Sequence, residues 1–125
     1  MMSQTILIAD DEPNIVVSLE YLLKREGYAV LIARDGEEAL EAISREKPAL
    51  VLLDVMMPKK TGFEVCQAVR ACELLQSTKI LMLTAKGRDT DIAKGMALGA
   101  DAYITKPFST RELVQKISDM LRPLP

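Results

Sequence analysis

The 125 residues contain no histidine. That absence removes the commonest general base, the commonest transition-metal ligand and every Ser/His or Cys/His triad. Any chemistry must therefore run on carboxylates, hydroxyls and amines. Cysteine is scarce as well: Cys66 and Cys72 stand six apart in one helical stretch, a rise of about 9 Å. That exceeds the Cα separation of a disulfide, so both are expected to be reduced, with Cys66 packed in the core. No apolar run approaches the roughly 18 residues of a membrane span. MMSQT has neither the basic segment nor the long apolar stretch of a signal peptide, so a cytoplasmic location without membrane contact is expected. The net charge is −2, and no Lys/Arg stripe follows any predicted helix. Direct nucleic-acid binding by this domain is accordingly not expected.

What is present is the material of one domain. Nearly half the residues are hydrophobic and about a quarter charged, and the length suits a single core. Residues 1–122 are expected to form that domain, with Pro123-Leu124-Pro125 as a tail or linker stub. Strand and helix patterns alternate five times. Strands are predicted at Ile6–Ala9, Ala29–Ala33, Leu50–Leu53, Ile80–Leu83 and Tyr103–Thr105. The first helix runs from Pro13, a favourable first-turn residue, to about Glu26, with Gly27 ending it. Further helices are predicted from Gly36 to about Lys47, Gly62 to about Leu75, and Arg88 to about Leu98. The last carries its apolar stripe on Leu113, Val114, Ile117, Met120 and Leu121, with Ser109 and Glu112 reading as a capping box. Alternation of this kind predicts parallel βαβ units with right-handed crossovers, a doubly wound α/β sandwich.

Polar residues stand where the hydrophobic runs stop. Asp10 and Asp11 follow TILIA, Asp54 follows ALVLL, Thr84 follows KILML and Lys106 follows AYIT. In open parallel sheets ligands gather outside the C-terminal strand ends. Each residue alone has a plainer reading: an acidic helix N-cap for Asp10-Asp11-Glu12, a satisfied strand-end carboxylate for Asp54, a β-branched strand residue for Thr84, an exposed charge for Lys106. Convergence changes the balance, because unit charges 4 Å apart interact by roughly 4 kcal/mol at an effective dielectric of about 20. Three such carboxylates call for a cation. Oxygen-only ligands select Mg²⁺, Mn²⁺ or Ca²⁺, and Mg²⁺ suits a site with room for water. A carboxylate beside Mg²⁺ points to phosphoryl chemistry, with Asp54 as nucleophile and Lys106 and Thr84 on the phosphoryl oxygens.

The segments ADDEP, LLDVMMPKKTGFE, LMLTAKG and GADAYITKPF closely resemble the receiver domain of bacterial two-component response regulators, from about Thr5 to Leu121. The resemblance implies a flavodoxin-like (βα)5 fold, three layers around a five-stranded parallel sheet of order 2-1-3-4-5. It implies Asp54 as phosphoacceptor. Asp11 and Asp54 become direct Mg²⁺ (or Mn²⁺) ligands, Asp10 a ligand largely through water, and Met56 the donor of a backbone carbonyl. Lys106 contacts the phosphoryl group and forms a cis peptide with Pro107. Thr84 and Tyr103 form a switch pair that alters the face of the fourth helix, fifth strand and fifth helix.

The implied phosphodonor is a sensor histidine kinase or a His-containing phosphotransfer protein, docking near Asn14, Ile15, Ser18, Pro107 and Phe108. An output domain or effector protein reads the result. Lys94, Asp101, Glu112, Lys116 and Arg122 keep part of a charged pattern used for phosphorylation-dependent dimers, whereas Ala97 and Ala102 stand where such regulators carry acids. The alternative for that face is solvated charge. Beyond self-phosphorylation and autodephosphorylation, no enzyme activity is implied.

Three other readings compete. A haloacid-dehalogenase-type phosphatase needs a second Asp two residues after the nucleophile, where Met56 stands. A flavin or nucleotide binder needs a Gly/Ser/Thr-rich phosphate loop, where acidic ADDEPN stands. A pseudo-receiver lacks a key residue, and none is missing. Met56 and Lys86 occupy the positions that tune phosphoryl loss. Apolar Met56 has nothing strong to orient water, and Lys86 is placed to pair with the phosphoryl oxygens. A long-lived phospho-form follows: Met56→Asn is expected to speed decay of the phosphorylated protein, and slower decay would contradict this reading.

Overall fold

The computed structural model describes residues 4–122. Five parallel strands, β1 (Thr5–Ala9), β2 (Ala29–Ala33), β3 (Leu50–Asp54), β4 (Lys79–Ala85) and β5 (Ala102–Lys106), form one sheet ordered β2-β1-β3-β4-β5. They alternate with α1 (Pro13–Arg25), α2 (Gly36–Glu46), α3 (Gly62–Ala71), α4 (Asp89–Ala97) and α5 (Thr110–Leu121). The expected flavodoxin-like three-layer architecture is what forms. The proposed tail, 123–125, lies outside the described residues, as does the start of MMSQT. No helix among the described residues is long and apolar enough to cross a membrane.

Strand side chains alternate between two cores, as a period of two requires. Leu7, Ala9, Val51, Leu53, Ile80 and Met82 pack with α2 and α3. Ile6, Ile8, Leu50, Leu52, Leu81 and Leu83 pack with α1 and α5. Residues Leu50–Asp54 of β3 are buried throughout, the mark of a central strand covered on both faces. Register sets the ends level: Ala9 pairs with Leu53, Asp54 with Leu83, and Thr84 with Thr105. The polar residues that follow these pairs therefore share one edge.

Local signals explain most element boundaries. Pro13 opens α1, and Gly27, at φ 94°, takes the left-handed position after it. α3 is shorter than its apolar pattern predicts. It stops at Ala71 because Cys72 is extended (φ −101°, ψ 117°) and Gln76 Nε2 donates to the carbonyls of Arg70 and Cys72, both at 2.8 Å. Glu73–Leu75 then forms a separate 3₁₀ turn that returns Leu75 to the core. The capping box also sits elsewhere than expected. At α5 only half is made, Glu112 N–H donating to Ser109 Oγ at 3.0 Å. The reciprocal pair is Thr61 with Glu64, at the start of α3. Cys66 and Cys72 are both free thiols, Cys66 buried.

Behind Asp54 the chain doubles back closely. Gly62 N–H donates to Val55 O at 2.8 Å, and a Cβ on Gly62 would overlap the Asp54 carbonyl oxygen and come 2.9 Å from Val55 Cα. Backbone cannot yield as a side-chain tip does. Gly62→Ala is expected to cost about 2–3 kcal/mol, read as a lowered urea midpoint; an unchanged midpoint would show that the loop relaxes freely.

Candidate functional site

The acidic end is built from the ends of β1, β3 and β5. Asp10 directly follows β1 and is fully buried; its Oδ1 accepts from Glu12 N–H at 2.9 Å. Glu12 is the N-cap of α1 but makes no side-chain cap bond. Its carboxylate turns instead to Lys106, Oε1 lying 3.5 Å from Nζ. Lys106, the last residue of β5, also reaches Asp10 Oδ2 at 3.1 Å and Asp54 Oδ1 at 3.5 Å. Asp10, exposed Asp11 and buried Asp54 each bring a carboxylate oxygen within 4.8 Å of the others. Glu12 thus stands at the helix end, as the plainer reading of Asp10-Asp11-Glu12 has it, while its carboxylate and that of Asp10 also meet Lys106.

Electrostatics follow from crowding. Burial, and then the charge of Asp10, raise the Asp54 carboxyl from 3.8 to about 6, against the pull of Lys106 and the Met56 N–H. Burial by itself would lower the Lys106 ammonium, but Asp54, Asp10 and Glu12 outweigh it and hold the lysine above its ordinary value. One ammonium does not neutralise the carboxylates around it. An all-oxygen donor set with excess negative charge fits a hard divalent ion. Asp10, Asp11 and Asp54 are the side chains that fit one.

Thr84, next to last in β4, is buried, and its Oγ1 has no hydrogen-bond partner. Tyr103 lies on β5 beside Met82; the residue is 39% exposed, with Lys116 Nζ 5.5 Å from its ring centroid. The Lys106–Pro107 peptide is cis. The Met56 side chain is exposed, while its N–H points to Asp54 Oδ1 at 3.4 Å. Asn14, Ile15, Ser18 and Phe108 line a shallow groove of about 230 Å³ on the neighbouring surface. A larger cleft, about 650 Å³, opens at the opposite edge near Gln4, Lys79 and Asp101, away from these groups.

The model family of the response regulator receiver domain matches residues 6–118. The chain belongs to that family. A curated relative, the alkaline phosphatase synthesis transcriptional regulatory protein PhoP of Bacillus subtilis, is 50% identical over 121 residues, covering 97% of this chain and 50% of that protein. The chain thus spans about half the length of the curated relative it matches. Among solved structures, a Chloroflexus aurantiacus protein assigned as a response regulator is 38% identical at a TM-score of 0.92, covering 96% of this chain and 98% of that one. The receiver domain of sensor histidine kinase PA1611 from Pseudomonas aeruginosa is 28% identical at 0.88, covering 96% and 98%. That structure has a magnesium ion coordinated in its active-site cleft. This receiver is therefore part of a two-component signalling family.

Sequence reasoning missed two groups at the site. Glu12 joins Lys106, which its place in an acidic triplet before a helix did not reveal. The cation lining the cleft from the β4–α4 loop is Arg88, not Lys86. Gly87, at φ 83°, reverses the chain after Lys86 and returns Arg88 toward the cleft, where Asp91 meets it. A glycine between two cations was the only local hint in the sequence. Away from the site, Asp101, which keeps part of the dimer pattern or of a solvated face, pairs within the chain with Arg70 at 2.7 Å and accepts from Ile80 N–H at 2.8 Å.

Because Asp54 binds its proton more tightly in the folded chain, stability of the metal-free receiver falls as pH rises through about 4 to 6. Asp54→Asn is therefore expected to stabilise it by roughly 2–3 kcal/mol at pH 7.5 and by almost nothing at pH 4. Urea unfolding in chelator at both pH values checks this, and an equal effect at both would contradict it.

Proposed function

We propose that this receiver is a phosphorylation switch whose acceptor is Asp54. The observation that carries the reading is the buried Asp54 carboxylate at a strand end, 3.5 Å from Lys106 Nζ, with Asp10 and Asp11 beside it. The donor is a sensor histidine kinase or a His-containing phosphotransfer protein, docking on the groove of Asn14, Ile15, Ser18 and Phe108. An Asp54 oxygen attacks phosphorus, the P–N bond to the donor histidine breaks, and the imidazole keeps that electron pair and takes a proton from solvent. An acyl phosphate on Asp54 results. Asp10, Asp11, Asp54 and the Met56 carbonyl would hold Mg²⁺ or Mn²⁺. When bound, that ion offsets the charge of the carboxylates and phosphoryl oxygens.

The chain's own residues then read the product. Lys106 is already oriented by carboxylates and shifts to a phosphoryl oxygen. Thr84 Oγ1, buried without a partner, gains an acceptor, which removes a cost of roughly 1–3 kcal/mol. Tyr103 turns inward into the space that Thr84 vacates and leaves its contact with Lys116. These contacts need only shift a balance between two states of the α4–β5–α5 face, which an output domain or effector protein reads. The receiver itself turns over no external substrate beyond its own phosphorylation and dephosphorylation.

Incubation with acetyl phosphate and Mg²⁺ is expected to give an acid-stable, base-labile adduct on the wild-type chain. Chelation and Asp54→Asn should each abolish it. Equal labelling of Asp54→Asn, or labelling indifferent to chelator, would overturn the assignment.

A further inference from the structure

Lys106 already serves three carboxylates, and a phosphoryl group adds a charge of roughly −1.5 to −2 beside it. A second cation stands at the same cleft. Arg88 lines a cavity of about 410 Å³ together with Asp54, Met56, Asp91 and Lys106. Its guanidinium grips Asp91 with two N–H groups, Nε to Oδ2 at 2.8 Å and Nη2 to Oδ1 at 3.4 Å. Exposure across the pair is uneven: the Asp91 side chain is 15% exposed and that of Arg88 56%. The carboxylate is tucked away, while the guanidinium remains accessible to another anion.

We propose that Arg88 binds the phosphoryl group, exchanging Asp91 for the oxygens on Asp54; this rests on the phosphorylation reading above. A planar guanidinium presents the same pair of donors to phosphate as to carboxylate, so the geometry used on Asp91 carries over. Asp91 is the third residue of α4, where the helix N-terminus favours negative charge once the arginine leaves. The exchange also moves α4. Arg88 is its N-cap, and the Arg88 carbonyl accepts from Asp91 and Ile92 N–H at 3.0 and 3.2 Å. Gly95 is the one buried residue of this helix, so few packed side chains resist the movement. Asp91 thus acts as a competing anion that keeps Arg88 parked until the phosphoryl group arrives.

Beryllofluoride, a stable phosphoryl mimic, supplies the test in the full chain at fixed Mg²⁺, with bound fluoride read by ¹⁹F NMR. Arg88→Ala is expected to weaken binding by about fivefold to tenfold, and Arg88→Lys by less, since it loses the paired donors but keeps the charge. Asp91→Ala is expected to tighten binding, and to have no effect once Arg88 is alanine. The Arg88 ¹⁵Nε signal should shift when the mimic binds to wild type. Wild-type affinity in Arg88→Ala, or an Asp91→Ala effect that persists without Arg88, would overturn the proposal and leave the phosphorylation reading intact. A wild-type chain that binds no beryllofluoride would overturn both.

Discussion

Lys106 Nζ lies within 3.5 Å of carboxylates from Asp10, Glu12 and Asp54, and the site is arranged around that shortage of positive charge. The parallel sheet delivers the carboxylates to one edge whether or not they tolerate each other. Burial of Asp10 and Asp54 between two apolar layers then strengthens their repulsion. The lysine relieves part of it, and burial together with the remaining repulsion from Asp10 raises the Asp54 carboxyl to about 6. A site in this condition gains free energy from an added cation. It is also sensitive to added negative charge, which is the physical basis of the proposed switch.

The fold divides into a rigid part and a yielding part. β1, β3 and the inner run of β4 are buried on both faces and lock the strand ends in register. α4 is attached more lightly. It approaches β4 through Gly95, where a Cβ would come 3.3 Å from Met82 Cε, and rests Lys94 Nζ 4.5 Å from the Phe63 ring centroid. Elements with few buried contacts open most readily. A helix so held suits the proposed moving element beside a fixed acidic centre.

Much of this was legible in the sequence. β2 falls at Ala29–Ala33 as its apolar run predicts, and Pro13 and Gly27 mark α1 by chemistry that acts within one turn. The errors share a cause. The apolar stripe of α3 continues to Leu75, yet Gln76 folds back and caps the helix earlier. Ser109 and Glu112 have the same spacing as Thr61 and Glu64, and only the second pair closes both bonds. In each case a side chain chose among partners that local pattern could not rank.

By itself, then, the sequence determined which segments are strands, which polar residues end them, and that histidine chemistry is excluded. Those properties depend on periods of two and 3.6 and on residue identity, all local. Only the tertiary structure decided that Glu12 leaves its helix end for Lys106, 94 residues on, and that Lys106 meets Asp10 across 96. It also decided that Arg88 rather than Lys86 lines the cleft. Such choices depend on strand register and on the direction each loop leaves the sheet, and both are set by the packing of the whole core.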